Sequence, residues 1–188
     1  MLQIGWVIAA VVVAILLTTW VIFTATRLDR LHARVDAALA ALDVQLVRRA
    51  AAVRHLLEAG TLRLSDADAQ RYAAVARAAL TATGDDREPA ENQIGRVITE
   101  LAELADQVGV ADAVELREAG VRVIIARRFY NDAVRDTRGL RSGLMPRILH
   151  LAGHREVPQF FDIDDTFTFP DPSGTGTAPQ SSTEEFTP

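Results

Sequence analysis

The first 26 residues carry no ionisable side chain, and no other feature constrains the chain as tightly. From Gly5 to Phe23 the run is dominated by Val, Ile, Leu and Ala. Its 19 or so residues make roughly 28 Å of helix at 1.5 Å per residue, close to the thickness of a bilayer's hydrocarbon core. Trp6 and Trp20 lie near its two ends, where indole rings favour the headgroup level. A cleaved signal peptide would want a basic stretch before a shorter apolar core and a small-x-small site after it. Nothing basic precedes this core, and Phe23-Thr24-Ala25 makes a poor cleavage site. Residues 1–26 are therefore expected to form an uncleaved transmembrane anchor. Arg27, Arg30 and Arg34 follow it directly, so the positive-inside rule places the N-terminus outside and the bulk of the chain in the cytoplasm of a single-pass membrane protein.

Beyond the anchor the vocabulary is helical. Thirty-one of the 188 residues are Ala, and Pro89 is the sole proline before Pro146. All 20 basic residues are Arg, which reads as genome base composition rather than chemistry. The absence of Cys excludes disulfides, thiolate nucleophiles and Cys-ligated metal centres, and a net charge of −5 argues against a general nucleic-acid binder.

From Leu28 the apolar pattern becomes a heptad, as in a coiled coil. Leu28, Val35, Leu42, Arg49 and Leu56 share one position, with His32, Leu39, Leu46 and Val53 at its companion. This first helix should continue from the anchor without a break and end at Gly60. A second should start at Ser65 and run to about Thr83, with a thin stripe of Ala69, Tyr72, Ala73, Ala76, Ala79 and Leu80. Asp85–Glu88 reads as a linker and Pro89 as a first helical residue. A third helix carries Ile94, Val97, Ile98, Leu101, Leu104 and Val108 and closes at Gly109. The fourth should span about Asp112 to Arg138, and a second apolar face of Val121, Ile124 and Ile125 predicts that it is the most buried. The expected architecture is all-α: an up-down four-helix bundle over residues 27–155. An aromatic strap over 156–169, with Phe160, Phe161, Phe167 and Phe169, and a disordered tail over 170–188 should follow. After Arg138, Gly139, Gly143, Pro146 and Gly153 should leave at most one helical turn, at Arg147–Leu151.

Three segments resemble the LemA family of bacterial membrane proteins. They are Ile4-Gly5-Trp6; Arg34-Val35-Asp36 followed by the block Leu42-Asp43-Val44-Gln45-Leu46-Val47-Arg48-Arg49; and Ala126-Arg127-Arg128-Phe129-Tyr130-Asn131-Asp132-Ala133-Val134. Val157-Pro158-Gln159-Phe160-Phe161 is similar to that family's Pro-x-Phe-Phe ending. The chain departs from the pattern at Val53-Arg54-His55 and in the shortened stretch Thr61–Thr83. The resemblance implies a membrane-anchored helical bundle and carries no catalytic chemistry with it.

Arg49 is the informative residue by spacing, because an Arg on an aliphatic seam must find acceptors or carry a desolvation cost of several kcal/mol. Tyr130, Asn131 and Asp132 on the fourth helix are its candidate partners, in a structural polar network fixing the register of helices 1 and 4. The alternative is an anion or acidic-peptide site lined by Arg48, Arg49, Arg127 and Arg128, as in a membrane sensor or enzyme. Metal and cofactor sites are not expected. His150 and His154 are separated by a helix-breaking Gly153, and His32 and His55 read as partly exposed helix residues. Asp162, Asp164 and Asp165 lack the glycine and distal Glu of a calcium loop. Gly174-Thr175-Gly176 follows no strand, and no Gly-x-Ser-x-Gly occurs. The expected function is that of an interaction or scaffold protein, not an enzyme, with the bilayer and membrane proteins as partners and a helix surface that permits self-association.

Overall fold

The computed structural model describes residues 2–143 and 156–164, and four α-helices with no strand are found among them. Helix α1 spans Leu2–Glu58, α2 Asp66–Thr81, α3 Arg87–Ala102 and α4 Val110–Arg141. The expected turn at Arg147–Leu151, His150 and His154, Asp165, Phe167 and Phe169, and the tail over 170–188 all lie outside the described residues.

No proline or internal glycine after Gly5 interrupts α1, so the apolar run and the heptad form one helix of 57 residues. Its N-terminal part is long and apolar enough to cross a membrane, with a mean hydropathy of 2.6 over 18 residues. Ile4, Trp6, Val7, Ile8, Val11, Val12, Val13, Ile15, Leu16, Leu17, Ile22 and Phe23 are all exposed and together face every direction around the axis. The hydroxyls of Thr18 and Thr19 donate back to the carbonyls of Ala14 and Ile15 at 2.8 and 2.9 Å, so neither needs water. Further along, eight of the nine heptad seam positions are buried; Leu39, at 45% exposure, is the one that is not.

Two compact units divide the described chain. The first takes α1 through Gln45, α4 from Val123, and the following segment to Asp162. Its two helical stretches run antiparallel, because Arg34 meets Asp136 while His32 meets Arg141. Leu28, Val35, Leu42, Val123, Tyr130, Ala133, Val134 and Phe161 are buried in it. The second unit takes Leu46 through Arg122 together with Ile163 and Asp164. One apolar cluster there draws on all four helices: Val53 and Leu56 from α1, Ala76 and Ala79 from α2, Ile94 and Leu101 from α3, Leu116 and Ala119 from α4. Alanines line the α2 side, so α2 and α3 pack closely with little side-chain volume between them.

Several helix ends fall elsewhere than the sequence suggests, for identifiable reasons. Ser65 does cap α2, its Oγ accepting from the Asp68 N–H at 3.1 Å. A single 3₁₀ turn at Gly84–Asp86 leads straight into α3 at Arg87, so no free linker precedes Pro89. Pro89 sits in the first turn of α3, where a missing N–H costs nothing. After Ala102 the chain tightens into a second 3₁₀ turn, Ala105–Gln107, instead of continuing to Gly109. Helix α4 runs through Gly139, since one interior glycine costs only about 1 kcal/mol and Arg138 and Arg141 favour the negative helix end. The second face of α4 is not buried: Val121 and Ile125 are 42% and 47% exposed, and Phe129 is 64% exposed.

Candidate functional site

The seam arginine finds its partner on α3, not α4. Arg49 donates from Nη2 to Glu91 Oε2 at 2.7 Å and to the Glu91 carbonyl at 3.1 Å. Arg87 approaches the other carboxylate oxygen at 3.4 Å and also donates to the carbonyls of Ala79 and Ala82, the last residues of α2 and its cap. The Arg49 and Glu91 side chains are 3% and 0% exposed, so the pair is dry. Two guanidinium groups flank one carboxylate inside the second unit. Nε of Arg49 is buried with no hydrogen-bond partner among the described residues. The arrangement ties α1, α3 and the end of α2 together through one carboxylate.

The α4 candidates serve other contacts. Asp132 pairs with Arg135 at 2.6 Å on the surface. Tyr130 donates its hydroxyl to the Gln159 carbonyl at 2.7 Å. Asn131 clamps the backbone of Phe161 from both sides, its Nδ2 donating to the carbonyl at 3.0 Å and its Oδ1 accepting from the N–H at 2.9 Å. Phe161 is buried by this clamp, and Phe160 is partly exposed with the Arg138 guanidinium 5.1 Å from its ring centre. Tyr130 and Asn131 therefore hold the strap. Arg48 and Arg128 are exposed and Arg127 is half-buried.

The mispairing has a physical cause: an i, i+3, i+4 seam says that Arg49 points inward, and it is silent on which neighbouring helix meets it. Glu91 did leave a signal, since it lies three residues before Ile94 and seven before Ile98, on the buried stripe of α3. An acid on an apolar stripe is the natural partner for an arginine on another.

Three further constellations were not legible from spacing. Across α2 and α3, Arg71 bonds Glu100 at 2.6 Å and Tyr72 donates to the same carboxylate at 2.7 Å. The Arg71 contact, then the Tyr72 hydroxyl, hold Glu100 below the usual carboxylate range. Burial, then the Glu100 contact, push the Tyr72 phenol up to about 12. In the first unit His32 is buried, contrary to expectation; its Nδ1 donates to the Leu28 carbonyl at 2.9 Å, leaving Nε2 to accept from Arg141 at 3.3 Å. In the second unit, ligand atoms of His55, Asp112 and Glu115 lie within 4.8 Å of one another, the one group among the described residues whose geometry could hold a metal ion. His55 and Glu115 are exposed, so nothing there strips water from a cation.

Cavities of about 520 and 370 Å³ occur, one in each unit. The larger lies between α1 and α4, lined by Arg27, Leu31, Arg34, Asp136, Gly139 and Leu140. The smaller lies beside the turn between α1 and α2, lined in part by Leu57, Leu62, Leu64 and Arg77. No family model matches the chain, and no curated protein or solved structure matches it either.

Proposed function

We propose that this chain is a single-pass, membrane-anchored interaction protein of the LemA type, its helices beyond the anchor forming an up-down four-helix bundle on the cytoplasmic side. The observation that carries the reading is the continuity of α1. Residues 4–23 present apolar side chains all round, which water does not tolerate and a bilayer does, and the same helix then becomes amphipathic. The apolar cluster shared by all four helices supports a bundle. Arg27, Arg30 and Arg34 directly after the apolar run support the orientation. Exposed Ile125 and Phe129, one turn apart on α4, support an interaction role over a catalytic one. The rival reading, an anion or acidic-peptide sensor built on Arg48, Arg49, Arg127 and Arg128, is weakened because Arg49 is committed to Glu91.

Membrane-embedded protein carrying a photo-crosslinking residue at position 129 should give one discrete protein adduct, absent when the crosslinker stands at position 132. Alkaline carbonate should leave the chain in the membrane pellet. A tag after Pro188 should resist protease until the cells are permeabilised. Extraction by carbonate overturns the anchor, digestion in intact cells overturns the orientation, and no adduct at 129 beyond that at 132 overturns the interaction role.

A further inference from the structure

The larger cavity opens where the apolar run of α1 stops. Thr26 is the last residue before the first charge, Arg27, which lines the cavity together with Arg34. From Arg27 to Arg34 the helix climbs about 10 Å, and the headgroup layer that a bilayer adds on one side is roughly 5–8 Å thick, so Arg27 stands within that layer and Arg34 at its outer edge. Antiparallel α4 brings Asp136, Gly139 and Leu140 to the same level.

The charges in this crevice do not cancel. Arg34 pairs with Asp136 at 3.2 Å, while Arg27 has no acidic partner among the described residues. Two guanidinium groups and one carboxylate leave a single positive charge, matched to a phosphodiester. Asp29 lies on the far side of α1 from Arg27, Leu31 and Arg34, about 140–160° away in helical phase, so it does not oppose an anion there. The other cations at this end of α4 are engaged: Arg141 holds His32 and the Glu156 carbonyl, and Arg138 lies over Phe160. Leu31 and Leu140 supply apolar wall that an inorganic ion would not use. At Gly139 a side chain would meet nothing within 4 Å, so the crevice is open at its α4 side.

We propose that this crevice seats the phosphate of one anionic phospholipid from the leaflet in which the anchor ends, with Arg27 as its principal ligand, Arg34 beside it, and Leu31 and Leu140 against the glycerol and upper acyl chain. The proposal rests on the membrane-anchored reading and is independent of which face of the membrane the body occupies. It assigns Arg27 a ligand, where the positive-inside rule asks of it only a charge.

The test uses the full chain, purified in mild detergent and titrated with phosphatidylglycerol, phosphatidylcholine or inorganic phosphate, with native mass spectrometry reading the adducts. One phosphatidylglycerol per chain should be retained at concentrations where phosphatidylcholine is not. Arg27→Gln should weaken that adduct about tenfold by removing the charged donor. Gly139→Phe should do the same by filling the crevice, with helical circular dichroism unchanged because its Cβ enters open space. Arg30→Gln removes an exposed juxtamembrane charge that does not line the crevice, and it should leave the adduct intact. Equal adducts in Arg27→Gln, Gly139→Phe and the parent chain overturn the site, as does an equal loss in Arg30→Gln, which would mean diffuse electrostatics. Inorganic phosphate binding as tightly as the lipid overturns the lipid as source. If carbonate extracts the parent chain from membranes, the anchored reading falls too; if it stays embedded with insensitive adducts, this proposal alone falls.

Discussion

Removing the Arg49 side chain is the sharpest perturbation the second unit allows. Arg49→Ala deletes a charge-assisted bond of 2.7 Å and a bond to the Glu91 carbonyl of 3.1 Å. Hydrogen bonds to charged groups are worth about 1.5–3 kcal/mol, and one to a carbonyl about 1 kcal/mol. The substitution also leaves Glu91, 0% exposed, with only the longer 3.4 Å contact to Arg87, and opens a void on the α1 seam. The sum falls in the range of about 3–5 kcal/mol seen when one member of a buried pair is lost. At about 2–4 °C per kcal/mol for a chain of this size, the thermal midpoint should fall by roughly 10 °C.

Glu91→Gln should cost as much by a different route, since it strands the buried Arg49 guanidinium with no counter-charge. The double variant Arg49→Met with Glu91→Leu should recover most of the loss, because no ion then remains without its principal partner and apolar volume fills the seam. Arg54→Ala is the control: its pair with Glu58 is more than half exposed on both sides and should contribute well below about 1 kcal/mol. Thermal unfolding of the full chain in detergent, followed at 222 nm, reads all four. A midpoint shift for Arg49→Ala no larger than for Arg54→Ala would refute the buried triad. So would a double variant that is less stable than either single one.

Two other perturbations test the remaining contacts. Asn131→Ala removes both bonds to the Phe161 backbone, so residues 156–162 should be cut by protease at least several-fold faster while the helix content holds; an unchanged cleavage rate would show that the clamp does not hold the strap. Because the unfolded chain releases a phenol proton near 10 and Tyr72 releases its own only near about 12, native stability should fall as pH rises across that interval, and Tyr72→Phe should abolish that slope. Glu100 works in the opposite sense: the stability its lowered pKa contributes is present above the ordinary carboxylate value and is lost as pH falls through the depressed one, so Glu100→Gln should flatten the acid limb.

These contacts also show which physics a linear pattern transmits. Periodicity reports which side of a helix faces inward, because burial repeats every 3.6 residues; that rule located the buried face of α1 and the aliphatic stripe of α3, while residue type alone gave the Ser65 cap. It reports nothing about azimuthal neighbours, so Arg49 could be recognised as an inward charge while its partner, 42 residues away, could not. Capping and breaking residues are weaker still as boundary marks. Gly139 and Pro89 both read as stops or starts, yet α4 passes through the one and α3 begins before the other, since an end turn forgives a missing donor and tertiary packing outweighs about 1 kcal/mol of glycine propensity. Composition also overstated burial on α4. Val121, Ile125 and Phe129 are apolar yet stay exposed among the described residues, so their hydrophobicity does not mark a second core. Residues 4–23 of α1 are exposed too, in a stretch long and apolar enough to cross a membrane, and the two apolar surfaces differ in kind. One faces every direction around its helix; the other is a single stripe, the usual sign of an amphipathic helix.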